Sequence, residues 1–122
     1  MEVNENVSLP GAKKFVDEEI AKVSESWVNH QVNLKAFEKR QETTEPTLED
    51  IATHAEIEKA MDKKKDKQKI YFLENLEEDK RKVHQEVEEF NRIDEAIEQN
   101  KKGIKECEEL LEIMQEVKKE LI

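Results

Sequence analysis

Residues 76–122 read LEEDKRKVHQEVEEFNRIDEAIEQNKKGIKECEELLEIMQEVKKELI, and in them Leu76, Val83, Phe90, Ile97, Ile104 and Leu111 recur at every seventh position. An apolar repeat sustained over this length is the pattern of an α-helix whose seam lies against another helix. From Phe90 onward a second row, Ile93, Asn100, Cys107 and Met114, follows three residues behind each member of the first, which is the a/d spacing of a coiled coil, and Leu121 continues that row by one more heptad. Val87 shares the stripe, and the steps Val83, Val87, Phe90, Ile93, Ile97 run 4-3-3-4, a stammer that overwinds a supercoil locally. Leu110 and Val117 broaden the end of the stripe beyond strict a/d positions, as a multi-helix bundle requires.

Upstream, a second amphipathic pattern spans residues 12–42. Its seam is Val16, Ile20, Val23, Trp27, His30, Leu34 and Phe37, with steps alternating between four and three. Val28 and Val32 lie off that stripe, so a second surface of this helix is expected to be covered as well. Residues 1–11 are polar, contain Pro10-Gly11 and have no period, and are expected to form a flexible arm. Residues 43–47, Thr43-Thr44-Glu45-Pro46-Thr47, are expected to turn, because proline removes an intrahelical donor and pushes its predecessor out of the helical region. Thr47 caps the next helix, with Asp50 completing a capping-box arrangement.

Residues 48–122 are expected to continue as one long helix, with possible breaks at 62–69 or 100–103. Leu48, Ile51, Ala55 and Met61 give it a thin stripe at the start. The run from Asp62 to Lys69 has no apolar residue, yet it has no Gly, Pro, Asn or Ser to end a helix either. Gly103 is a weak point, but the heptad phase is the same on both sides of it. Glu77 and Arg81, Glu78 and Lys82, Glu88 and Arg92, and Glu98 and Lys102 are acid-first i,i+4 pairs, each supporting exposed helix by about 0.2–0.5 kcal/mol. The expected fold is all-α, an elongated helical hairpin or coiled coil with one long C-terminal helix.

Composition agrees with a fold that buries a stripe rather than a globular core. Of 122 residues, 35% are apolar and 43% charged, and only two are glycine and two proline, which leaves little material for β-hairpins. The net charge of −10 argues against a phosphate-backbone or anionic-membrane partner. No apolar run approaches the roughly 20 residues that span a bilayer. The N-terminal residues lack the basic and apolar regions of a signal peptide, and a single cysteine, Cys107, forms no intrachain disulfide, so a cytoplasmic or nuclear location is expected.

The residues three before His30, His54 and His84 are Trp27, Ile51 and Arg81, so no Glu-x-x-His pair of the di-iron bundle type exists. There is no His-Glu-x-x-His, no Cys-x-x-Cys and no glycine-rich phosphate loop. Neither catalysis nor a metal or other cofactor is expected. His30 and Asn100 are polar residues in otherwise apolar seams, the positions from which such groups set register. Lys63, Lys64, Lys65, Lys67 and Lys69 read as a solvated face.

In general shape and composition the chain resembles the small coiled-coil subunits of cytoskeletal, kinetochore or vesicle-tethering complexes, a likeness that no motif carries. A single helix over 47–122 would span about 110 Å against about 45 Å for the first helix, which could not cover it. The expectation is a non-enzymatic subunit that meets other helical chains through Val16, Ile20, Val23, Trp27, Leu34 and Phe37 and through Leu76, Val83, Val87, Phe90, Ile93, Ile97, Ile104, Leu111, Met114 and Leu121. A heteromeric partner suits the one-sided charge better than a second copy. The alternative from another class is a small acidic helical chaperone or inhibitor of a basic client.

Overall fold

The structure, a computed structural model, describes residues 9–121. These residues are all-α, with helices α1 (Leu9–Thr44), α2 (Leu48–Met61), α3 (Asp66–Glu74) and α4 (Glu78–Glu120), and no strand among them. Most of the expected N-terminal arm lies outside the described residues. Its last part, Leu9 to Gly11, already belongs to α1, because a proline in the first helical turn loses no hydrogen bond that the turn could have made.

The α1 helix ends where the hydroxyls of Thr43 and Thr44 both donate to the carbonyl of Arg40 at 2.9 Å, with Pro46 just beyond. Thr47 then opens α2 with a complete capping box. Its hydroxyl accepts from the Asp50 amide at 3.1 Å, and the Asp50 carboxylate accepts from the Thr47 amide at 3.3 Å.

The chain beyond Thr47 is three helices, not one. The first interruption, Asp62 to Lys65, falls in the lysine run, where like charges crowd one helix and no side chain is apolar enough to repay propagation by packing. Beyond it the Gln68 side chain accepts from the Lys65 amide at 3.3 Å and starts α3. The second interruption, Asn75 to Glu77, was not expected. Asn75 ends α3 by donating both its backbone N–H, at 3.1 Å, and its Nδ2, at 2.8 Å, to the carbonyl of Tyr71. Leu76 consequently sits in a bend beside Tyr71 and Phe72 rather than heading the long seam. By contrast α4 runs through Asn100-Lys101-Lys102-Gly103 without a break.

The helices divide into two compact units, one combining α1 up to Ala36 with α4 from Ile97, the other spanning Phe37–Ala96. In the first, Asp17 pairs with Lys118 at 2.8 Å, Trp27 Nε1 donates to Glu108 at 3.2 Å, and His30 Nδ1 meets Asn100 Oδ1 at 2.9 Å. Each step up α1 thus goes down α4, so the two run antiparallel. Ile97 and Cys107 are buried there, together with Asn100.

In the second unit Arg40 and Gln41, at the end of α1, reach Glu89 and Asp94 of α4 at 2.7 and 3.0 Å. The α2 helix lies antiparallel to α4, with His54 opposite Glu88 and Glu58 opposite His84. Ile57, Met61, Val87 and Ile93 are the buried apolar side chains of this unit. Because α2 folds back on α4, the expected mismatch between one short helix and one very long uncovered one does not arise.

Candidate functional site

Among the described residues, a group of two histidines and two glutamates joins α2 to α4. His54 and Glu58 stand one above the other at i,i+4 on α2, as do His84 and Glu88 on α4. Since the helices are antiparallel, the histidine of each meets the glutamate of the other. His54 Nε2 donates to Glu88 Oε1 at 2.6 Å, and His84 Nε2 donates to Glu58 Oε1 at 2.8 Å. The same nitrogens lie 3.6 and 3.9 Å from the glutamate of their own helix. The two imidazoles stack with ring centres 5.0 Å apart and planes inclined by 21°.

One donor atom from each of the four residues lies within 4.8 Å of the others. The histidine side chains are only 13% and 10% exposed, while Glu58 and Glu88 keep 40% and 33%. The imidazoles are therefore walled in and the carboxylates edge the solvent. The hydrogen bond from His54 holds the Glu88 carboxyl below the ordinary carboxylate range; burial opposes this, and the charges of His54 and His84 reinforce it. An open cleft of about 670 Å³, lined by Met61, Ile70, Leu73, Arg81 and Arg92 among others, adjoins Glu58, His84 and Glu88.

Sequence spacing alone does not reveal this cluster, because its histidines do not follow a Glu-x-x-His pattern. The signal that exposes it is a repeat: His54-Ala55-Glu56-Ile57-Glu58 and His84-Gln85-Glu86-Val87-Glu88 share the pattern His-x-Glu-(Ile/Val)-Glu. In both copies the β-branched residue is buried. Glu88 does not make the expected pair with Arg92 on an outer face; its carboxylate turns inward to His54. Glu98 lies 3.7 Å from Lys101 rather than reaching Lys102, which approaches Glu106 at 4.0 Å.

The expected interface residues fall into distinct places. Within the first unit Val16, Ile20, Val23, Trp27 and Leu34 of α1, and Ile104, Leu111, Met114 and Leu121 of α4, are all half-buried, while Ile97 is buried. In the second unit Phe37 and Ile93 line one cleft with Ala96, Val83 and Phe90 are half-buried, and Val87 is buried. His30 and Asn100, singled out separately, contact each other across the α1–α4 seam. Gly103 is their third partner: a Cβ there would stand 2.6 to 2.9 Å from the His30 ring atoms, so the glycine makes room for the imidazole.

Large apolar side chains also remain outside the seams. Phe15, Val28 and Val32 on α1 are 61%, 49% and 61% exposed, and Leu110 and Ile113 on α4 are 45% and 55% exposed. Among the described residues no helix is long and apolar enough to cross a membrane. No protein-family model, no curated protein and no solved structure matches the chain.

Proposed function

We propose that this chain is a non-enzymatic structural subunit that binds other helical chains through the unit built from α1 up to Ala36 and α4 from Ile97. The observation that carries the reading is the exposure of Phe15, Val28, Val32, Leu110 and Ile113 on a pair of helices whose own seam is mostly half-buried. Two helices cover only one stripe of each other. Leu110, Ile113 and Val117 follow one another at steps of three and four, the footprint that a further helix packs against.

The partner is a different, basic helical chain. A second copy would double a net charge of −10, whereas cationic residues flanking an apolar stripe would offset it and steer the encounter. A cytoplasmic or nuclear setting goes with this reading, since there the buried thiol of Cys107 stays reduced.

The test is isolation of the chain from its native source in wild-type and Ile113→Asp forms. A basic helical protein should co-purify stoichiometrically with the wild type, protect the amides of residues 97–121 from hydrogen exchange, and be lost with Ile113→Asp. A solitary, compact monomer with those amides already protected would instead favour the acidic chaperone or inhibitor.

A further inference from the structure

We propose that His54, Glu58, His84 and Glu88 form a structural site for one divalent first-row transition ion of the zinc type, which clamps α2 to α4. The four side chains converge on one point. Two ordinary His–Glu hydrogen bonds need only one carboxylate each, yet both Nε2 atoms here lie within 4.0 Å of both carboxylates.

The separations suit a metal. Tetrahedral zinc with bonds of about 2.0–2.1 Å sets its donors roughly 3.3 Å apart. The four His–Glu separations, 2.6, 2.8, 3.6 and 3.9 Å, straddle that value, so small carboxylate rotations bring all four donors to one centre once each imidazole carries its proton on Nδ1 and frees Nε2 for the ion. Two carboxylates and two neutral imidazoles also balance a 2+ charge, which removes the cost of leaving an uncompensated ion between helices.

Donor chemistry narrows the ion. Imidazole nitrogens disfavour calcium and magnesium, which take oxygen ligands, and the set has no thiolate to select copper(I). Four protein ligands close the coordination sphere, as structural zinc sites do. The exposed edges of the glutamates give the ion a path in, and the walled-in rings hold the donors in place. The His-x-Glu-(Ile/Val)-Glu repeat builds both halves of the site from the same local design: a buried β-branched residue fixes each helix face, and the i,i+4 pair projects from it.

The test uses the full chain freed of metal with a chelator and titrated with Zn²⁺ by calorimetry, and separately with Co²⁺ by visible spectroscopy. One Zn²⁺ should bind per chain, the melting temperature should rise with added Zn²⁺, and Co²⁺ should give the intense bands of tetrahedral nitrogen–oxygen coordination. His54→Ala and His84→Ala should each weaken binding by more than the roughly 10–100-fold that losing an outer-shell partner costs. His30→Ala should leave binding unchanged.

Absence of saturable binding would overturn the site, as would unchanged binding in a His54→Ala/His84→Ala chain. Should those variants lose helix content, Glu88→Gln, which keeps the side-chain shape, serves in their place, and undiminished binding by it counts against the site. A pale, octahedral cobalt spectrum on the wild type also overturns it, because it would place the ion on exposed carboxylates and water. None of these readouts involves a partner chain or Ile113, so a failure here leaves the docking proposal standing, and the converse.

Discussion

Replacing Gly103 with alanine should help or harm the protein according to what stands at position 30. In an isolated helix the change is favourable by about 1 kcal/mol, because glycine loses more backbone entropy on ordering. Here the new Cβ would lie 2.6, 2.7 and 2.9 Å from Nε2, Cε1 and Cδ2 of His30, about 1 Å inside normal contact. The ring cannot retreat freely, since its Nδ1 is tied at 2.9 Å to the buried side chain of Asn100. Overpacking of this kind costs about 1–3 kcal/mol. Set against the propensity gain, Gly103→Ala should destabilise the wild type by about 1 kcal/mol. With His30→Ala already in place the ring is gone, and the same change should stabilise by about 1 kcal/mol.

The cycle therefore predicts a coupling of about 2 kcal/mol between positions 30 and 103. Urea unfolding followed by fluorescence of Trp27, the sole tryptophan, reads it where it acts, because that residue bridges the same α1–α4 pair through its bond to Glu108. Equal effects of Gly103→Ala in the two backgrounds would refute the claim that the imidazole occupies the space over the glycine.

Other substitutions separate the strong contacts from the weak ones. Ile93→Ala, at a side chain only 3% exposed, should cost about 2–5 kcal/mol in denaturant unfolding. Thr47→Ala removes the capping hydroxyl and should lower stability by about 1 kcal/mol, with a drop in helicity by circular dichroism. Arg40→Ala should change stability by less than about 1 kcal/mol despite its 2.7 Å contact with Glu89, both side chains being half exposed, and the difference should shrink further in high salt. Glu88→Lys, measured in chelator, should destabilise by about 1.5–3 kcal/mol, since it replaces the acceptor of His54 with a second donor. An outer-face position would have tolerated that change.

The all-α class was legible because heptad spacing survives any tertiary arrangement. Thr47, Asp50 and Pro46 marked the α1–α2 turn for local reasons that no distant contact overrides. Asn75 was harder to read. Asparagine is tolerated inside helices, and only the doubled contact with the Tyr71 carbonyl makes it a terminator. Leu76 kept the heptad phase by coincidence of spacing, which hid the break.

The His–Glu cluster illustrates a second limit. His54 and Glu88 are 34 positions apart, and nothing local to either reveals that α2 turns back antiparallel to bring them together. The repeated His-x-Glu-(Ile/Val)-Glu pattern was visible, but its meaning depended on the fold-back that the breaks at 62–65 and 75–77 permit. Likewise His30 and Asn100 were legible as polar intruders in two seams, while their contact and the role of Gly103 beneath them required the register of α1 on α4.

Hydrogen exchange on the purified, partner-free chain, read alongside sedimentation velocity across a wide concentration range, bears most directly on the docking proposal. Amides of residues 97–121 should be protected but exchange faster than those around Ile57, Val87 and Ile93, whose side chains are buried. A monomer at every concentration, with residues 97–121 protected as strongly as the Ile57–Ile93 core, would contradict it.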